Sequence, residues 1–427
     1  MPMDRWAGRI GSGKSAGPRF RTSITENCAF MEKQYVSASP QDAGRLFMAS
    51  CIALVVTSMT FAIRAHLETV FGPQGAYGLT LEQIGIAFGP AFYGFTLAMV
   101  VGGPLVDSLG MKRIMQGAFV MHAVGIVVTL LARDFTMLFI GTFAIGIGNG
   151  FVEAVCNPLV ASLYPDRKTE MLNKFHVWFP GGIVIGSVLG YVMVDVAGLS
   201  WQLLVGSLFI PLVVYGWLFN GQAFPETERV SMGVKQGTMF KSLFRPLFLF
   251  MGFCMLLTAS TELGTGQRIS SLLTGAGVSA LLVLAFINGI MAVGRGFAGP
   301  IAHRLSTSGM LLFSAVFSCL GLIALSMATG WMTFVAAAVF AVGVTFFWPT
   351  MLSFVAEEMP ESGAVGLAIM GGLGMLATSI VLPIVGRLMD LNATGAETLR
   401  LIAVLPGVLI ILFSGLYLWH SRQRAAA

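Results

Sequence analysis

The sequence predicts an all-α membrane protein with twelve transmembrane helices in two six-helix bundles. Three observations carry that expectation. Hydrophobic residues make up 56% of the 427 residues and charged residues only 11%, against about 25% charged in a soluble domain. Apolar runs of about 20 residues, the length that spans a bilayer, recur along the chain. Short sequence echoes at an offset of 195 or 196 residues divide those runs six and six.

Residues 1–44 are polar and basic, with Gly, Ser and Pro, and lack the early apolar core of a cleaved signal peptide. They read as a disordered cytosolic tail, with Met31 as an alternative start. The apolar runs then fall at 45–70, 83–106, 114–132, 135–160, 174–197, 201–221, 246–267, 277–301, 308–328, 331–356, 363–388 and 399–419. They are too long and too continuous for barrel strands, which alternate with a period of two, and only helices or closed barrels satisfy their backbone in lipid. With the N-terminus inside, nineteen of the 25 Lys and Arg lie on inner segments and four on outer ones, while Arg64 and Arg295 fall within spans. The positive-inside rule therefore puts both termini, including the short tail 421–427, in the cytoplasm of a cell with this protein in its plasma (inner) membrane. The net charge of +5 is then a topology signal, and no nucleic-acid partner is expected. Cys28, Cys51, Cys156, Cys254 and Cys319 show no C-x-x-C spacing and read as small residues, four of them in apolar spans.

The connector 222–245, with Glu226, Glu228, Arg229, Lys235, Lys241 and Arg245, separates a first bundle over 45–221 from a second over 246–420. "GGPLVDSLGMKR" from Gly102 is echoed by "AGPIAHRLSTSG" from Ala298, "GYVMVD" ending at Asp195 by "GRLMD" ending at Asp390, and Pro165-Asp166 by Pro360-Glu361. Such echoes imply a duplicated bundle, a parallel repeat about an axis along the membrane normal, able to rock around a midplane site. "FPGGIVIGSVLG" (179–190) and "MGGLGMLATSIVLP" (370–383) occupy corresponding spans, where small residues serve close packing or gating.

The stretch "GPLVDSLGMKR" joins spans two and three. Gly103 suits close helix contact, Asp107 accepts charged hydrogen bonds, Gly110 allows a tight turn, and Lys112 with Arg113 can anchor to anionic headgroups. This pattern resembles the signature loop of the major facilitator superfamily, with Ser108 standing where an arginine is common. The resemblance, over about 45–420, implies the major facilitator fold and alternating access. A finer one rests on "VEAVCNPLVASLYPDRKTEMLNKFHVWFPGGIVIG", which is similar to the fucose–proton symporter branch of sugar porters at Glu153, Asn157, Pro158, Leu172, Asn173 and Gly182. "STELGTGQ" resembles that branch's acidic position in span seven, here Glu262. The branch implies proton coupling at Glu153.

The residues themselves permit the same chemistry. Glu153 is the one formal charge over 135–165, and intramembrane acids are functional by default. It shares a helix face with Asn157, four residues on, and Pro158 frees a backbone carbonyl beside them. A lone carboxylate in a low-dielectric setting can take up a proton and release it when hydrated or paired; the alternative is a structural glutamate, protonated or salt-bridged. Arg64 and Glu68, also four apart, can pair along one face, or Arg64 can neutralise Glu153. Alternatively its planar guanidinium binds a carboxylate, a phosphate or sugar hydroxyls. Glu262, with Gln267 and Arg268, either lines a cavity or sits at a solvated outer mouth. His176, near Trp178, can bond solute or relay a proton. Asn173, Asn288 and Trp348 are further contacts for a hydroxylated ligand, Trp348 by stacking or by packing alone. Arg295, in the second motif echo, is expected to lock the bundles together.

No P-loop, histidine–cysteine metal spacing or G-x-S-x-G appears in the sequence, so no cofactor, ATP-driven pumping or enzyme activity is expected. The function expected is secondary active transport: proton-coupled symport of a sugar or sugar-like small polar solute, by a monomer in a lipid bilayer. The alternatives are a sodium-coupled or uncoupled sugar or sugar-acid carrier, a multidrug exporter and a non-transporting membrane sensor.

Overall fold

Eleven helices among the described residues are long and apolar enough to cross a membrane. The computed structural model describes residues 40–75, 77–164, 168–225, 241–391 and 393–426. In chain order the first seven helices are α1 (Asp42–Phe71), α2 (Leu81–Gly103), α3 (Met111–Leu130), α4 (Phe135–Leu163), α5 (Lys174–Val196), α6 (Trp201–Phe219) and α7 (Pro246–Gln267). A shorter apolar helix, α8 (Ala280–Gly296), stands where the eighth span was expected. The last four are α9 (Leu305–Leu325), α10 (Met332–Val355), α11 (Val365–Asp390) and α12 (Gly395–Arg422). The chain is therefore an all-α, multi-pass membrane protein of two six-helix bundles. Helical structure begins at Pro40, five residues before the expected end of the tail, because proline suits a first helical turn. The rest of that tail, and residues 226–240 of the expected connector, lie outside the described residues.

Local chemistry starts and bends the helices. Thr80 and Thr394 each form a capping box, with Gln83 and Glu397, ahead of α2 and α12. Asp134 accepts from the Met137 amide at the start of α4, satisfying a donor that has no intrahelical partner. α5 ends in a π-helical turn over Tyr191–Val196, and α7 contains another over Ser260–Gly264 that carries Glu262. Such wide turns re-aim a side chain and are frequent at functional positions.

The packing repeats with a period of six helices. In the first half α2 and α3 pack on α4, and α5 and α6 pack on α1; in the second half α8 and α9 pack on α10, and α11 and α12 on α7. The halves meet where α2 lies against α11 and α5 against α8, with the end of α7 against α1. Close approach within a half relies on missing side chains: a Cβ at Gly146 of α4 would lie 2.5 Å from the Ala91 carbonyl oxygen of α2.

The sequence echoes correspond to shared geometry. Gly110 takes φ 84° and ψ 149° between α2 and α3, and Ser306, 196 residues later, takes φ 58° and ψ 162° before the main run of α9. The Asp390 carboxylate accepts from the Leu81 and Glu82 amides at the start of α2, at 3.0 and 2.7 Å. Its echo Asp195 accepts from the hydroxyl of Ser279, just ahead of α8, at 3.3 Å. Each aspartate thus meets the N-terminal end of a helix from the other half, where a negative charge is favoured.

One detail of the expected motif changes, although the stretch is helical to Leu109 and turns at Gly110. A Cβ at Gly103 would meet nothing within 4 Å, whereas one at Gly102 would touch Phe151 and Ala154 of α4 at 3.4 Å. The close-contact glycine is therefore Gly102, because the helical register turns Gly103 away. Lys112 and Arg113 are exposed, and the Asp107 side chain lies outside the described residues.

Glycine occupies the strained turn in the first half and serine in the second, and the φ/ψ region concerned is essentially reserved for glycine. Ser306→Gly is expected to stabilise the protein by about 1 kcal/mol, the lower part of the cost of such strain. The serine hydroxyl accepts from the Gly309 amide at 3.3 Å, and its loss offsets part of the gain. A melting curve in detergent checks this, and a lower melting temperature for the variant contradicts it.

Candidate functional site

A narrow cavity lies between the halves, lined from α1 by Phe61, from α5 by Phe179 and Ile183, from α7 by Glu262, Thr265 and Gln267, from α8 by Leu284 and Asn288, and from α10 by Phe340. Its volume is about 30 Å3, water-sized rather than sugar-sized. Its polar groups converge from α7 and α8. Asn288 donates its amide nitrogen to the Leu284 carbonyl at 2.9 Å, leaving its side-chain oxygen to accept. The Thr265 hydroxyl is buried without a hydrogen-bond partner.

Three arginines surround this region, Arg64 and Arg268 buried and Arg295 partly buried. Arg295 donates to Glu262 Oε1 at 3.4 Å and to the Thr345 carbonyl at 3.2 Å. Both partners belong to its own half, so the expected lock between bundles is instead a brace within the second bundle. The reason is the π-helical turn, which aims Glu262 back at α8. Glu262 itself lines the cavity with its side chain 9% exposed, which favours the cavity over a solvated mouth.

Arg64 and Glu68 do not pair with each other, and Arg64 does not neutralise Glu153. Glu68 faces Arg268 at 3.4 Å, both side chains being almost fully buried. Arg268 Nη2 also donates to the Leu81 and Leu382 carbonyls, each at 2.7 Å. One guanidinium thus joins α1, α2 and α11 at the end of α7. Gly85 and Gly386 make room for it: a Cβ at either would fall within 2.6 Å of Arg268 Nη2. Arg64 sits instead against the edge-to-face pair of Phe61 and Phe92, 4.9 and 4.8 Å from their centroids, and its Nε donates to Gln267 Oε1 at 2.8 Å.

A second polar chain runs through the first half. Asn157 donates its amide nitrogen to Glu153 Oε2 at 2.7 Å and to the Glu153 carbonyl at 3.0 Å. Its oxygen must then accept, so His176 Nε2, 2.9 Å away, carries the proton of that bond. Glu153 is 8% exposed and, among the described residues, no cation pairs with it. Glu153, Asn157 and His176 do not line the cavity; Phe179, one helical turn beyond His176, does.

Trp348 lies against α11, where a Cβ at Gly374 would meet its ring at 2.7 Å; it packs and does not line the cavity. The Asn173 side chain lies outside the described residues. Sequence reasoning missed the aromatic contact of Arg64 with Phe61 and Phe92, although Phe61 precedes Arg64 by three residues and so shares its helix face. It also missed a buried network in which His122 Nε2 donates to Asn149 Oδ1 at 2.9 Å and the Tyr215 hydroxyl donates to His122 Nδ1 at 3.1 Å. Asn149 in turn donates to Thr60 at 3.2 Å, which fixes that tautomer. The signal available was a histidine and an asparagine alone in apolar spans.

A family model described as Major Facilitator Superfamily matches residues 46–380. Among curated proteins the chain is similar to myo-inositol transporter 1 of Candida albicans, 28% identical over 137 residues, which cover 32% of this chain and 24% of that protein. The chain matches about a quarter of that relative's length and 53% of the length of the next. Among solved structures it resembles the xylose transporter of E. coli in a partially occluded inward-open conformation, with a TM-score of 0.72 at 14% identity over 88% of this chain and 98% of that one. It also resembles the fucose:proton symporter of E. coli, with a TM-score of 0.58 at 16% identity, covering 86% of this chain and 97% of that one.

Proposed function

This chain belongs to the major facilitator superfamily, and we propose on that premise that it is a secondary active carrier coupling a proton to a sugar-like small polar solute. The observation that carries the proton part is the Glu153–Asn157–His176 chain. It holds a carboxyl group in the interior of the first bundle, with hydrogen bonds to orient it and no partner cation among the described residues. Such a group can change its protonation without breaking an ion pair, and a change of charge at low dielectric biases a two-state bundle strongly. The cavity lining supports a solute that is small and hydroxylated, because Asn288 and Thr265 can bond hydroxyl groups between apolar walls. Similar proteins named for xylose, fucose and myo-inositol support the same class.

In the proposed cycle the two bundles rock about the interfaces α2–α11 and α5–α8. Arg268 and the two helix-capping aspartates hold one end closed, and solute and proton leave at the other. The protein works in a plasma or inner membrane with both termini in the cytoplasm, as the basic residues favour.

The test uses purified protein in proteoliposomes with an imposed pH gradient, alkaline inside. Labelled solute is expected to accumulate above its external concentration, and a protonophore is expected to abolish the accumulation. Uptake that stays downhill under the gradient, or that needs sodium instead, contradicts the proton reading.

A further inference from the structure

We propose that Arg64 is a carboxylate-binding site and that the solute is a small hydroxylated monocarboxylate, a sugar acid, rather than a neutral sugar. This rests on the transporter reading and narrows it.

The three arginines near the cavity differ in their counter-ions. Arg268 has Glu68 and two carbonyls; Arg295 has Glu262 and the Thr345 carbonyl. Arg64 is 3% exposed and, among the described residues, no carboxylate lies within ion-pair distance of it. Its Nε is bonded to Gln267, while its Nη2 is buried with no partner. The carboxylates on α1 and α7, Glu68 and Glu262, are both committed elsewhere. A buried cation without a counter-ion is costly, and in a membrane span it marks a ligand site by default.

The geometry selects the ligand. The Phe61 and Phe92 rings, 5.3 Å apart and nearly perpendicular, crowd the same side of the guanidinium at under 5 Å, so cation–π attraction offsets part of the desolvation. Nη2 remains an open donor, and a carboxylate binds a guanidinium along its N–H edge in a paired, coplanar fork. Gln267 holds the fork still: its amide nitrogen donates to the Phe61 carbonyl at 3.0 Å, which commits its oxygen to Arg64 Nε. Phe61 and Gln267 both line the cavity, so the guanidinium stands immediately behind its wall. The unpartnered Thr265 hydroxyl and the Asn288 oxygen face the same space and suit the hydroxyl groups of the same molecule. With Glu262 and Arg295 neutralising each other, a single negative charge balances the site.

The experiment compares matched pairs, D-glucose with D-glucuronate and D-galactose with D-galacturonate, by thermal shift and calorimetry on the purified full-length protein. The acid members are expected to bind and raise the melting temperature, and the neutral members are not. Arg64→Ala is expected to weaken acid binding at least about thirtyfold, the lower bound for truncating one partner of a buried charge pair. Arg64→Lys keeps the charge but not the fork and is expected to bind in between, which keeps the test meaningful if the alanine variant misfolds. Equal response to the neutral members, acid binding retained by Arg64→Ala, or no acid response from the wild-type protein overturns the proposal. Proton-driven uptake measured on the same preparations separates the two readings. Uphill uptake of a neutral sugar by Arg64→Ala leaves the carrier standing and removes the site. Acid binding without proton-driven uptake leaves the site and removes the coupling.

Discussion

Glu153→Gln is expected to reduce proton-driven accumulation to the equilibrium ratio of about one while leaving solute counterflow intact. A pH gradient of one unit is worth about 1.4 kcal/mol per proton, or about a tenfold concentration ratio for one-to-one coupling. That ratio vanishes if the carrier's protonation site cannot change state. Glutamine keeps the size of the side chain, and its oxygen can still accept from Asn157, whose nitrogen lies 2.7 Å from Glu153 Oε2. The Asn157–His176 bond is likewise undisturbed. The variant therefore resembles a permanently neutral carboxyl group: it should fold, bind and exchange solute, but no longer couple. The measurement is a pair of assays on one proteoliposome preparation. Unchanged uphill uptake would show that the proton binds elsewhere, with Glu262 the next group to replace. Loss of counterflow as well would make Glu153 a structural residue.

The second large effect concerns the buried Glu68–Arg268 pair. Removing either partner of the Glu68–Arg268 pair, as Glu68→Ala or Arg268→Ala, is expected to destabilise the protein by about 3–5 kcal/mol, because each leaves a charge buried without its counter-ion. Both side chains are almost fully buried and 3.4 Å apart, so solvent screening is slight. Arg268→Ala also releases the Leu81 and Leu382 carbonyls, loosening α2 from α11. The double variant is expected to be less damaged than the two single losses added together, by at least about 1 kcal/mol, as contacting residues are. Thermal denaturation of all four proteins in one detergent measures the cycle. Additive losses would mean that the two side chains act independently.

Legibility in the sequence followed the range of the interactions involved. A span, a turn glycine or a capping box is decided within a few residues, so the helices could be read off nearly in place, and α8 differed mainly in length. The polar chain at Glu153 was half legible. Asn157 lies one helical turn away on the same face, whereas His176 reaches it from the next helix. Arg64 and Glu68 are the clearest failure of local reasoning. Their spacing of four favours a pair, yet Glu68 faces Arg268, two hundred residues on. Gln267 takes Arg64 in its place.

The sequence by itself determined that this chain crosses a membrane repeatedly as two similar bundles of helices. Apolar length, charge bias and internal echoes are properties of the chain read in order, and lipid admits few backbone solutions to them. Only the tertiary structure decided which charges neutralise each other and which one is left over. In a dry interior each ion takes the counter-charge that a neighbouring helix brings within a few ångströms. The packing of α7 against α1 and the wide turn at Glu262 set those neighbours.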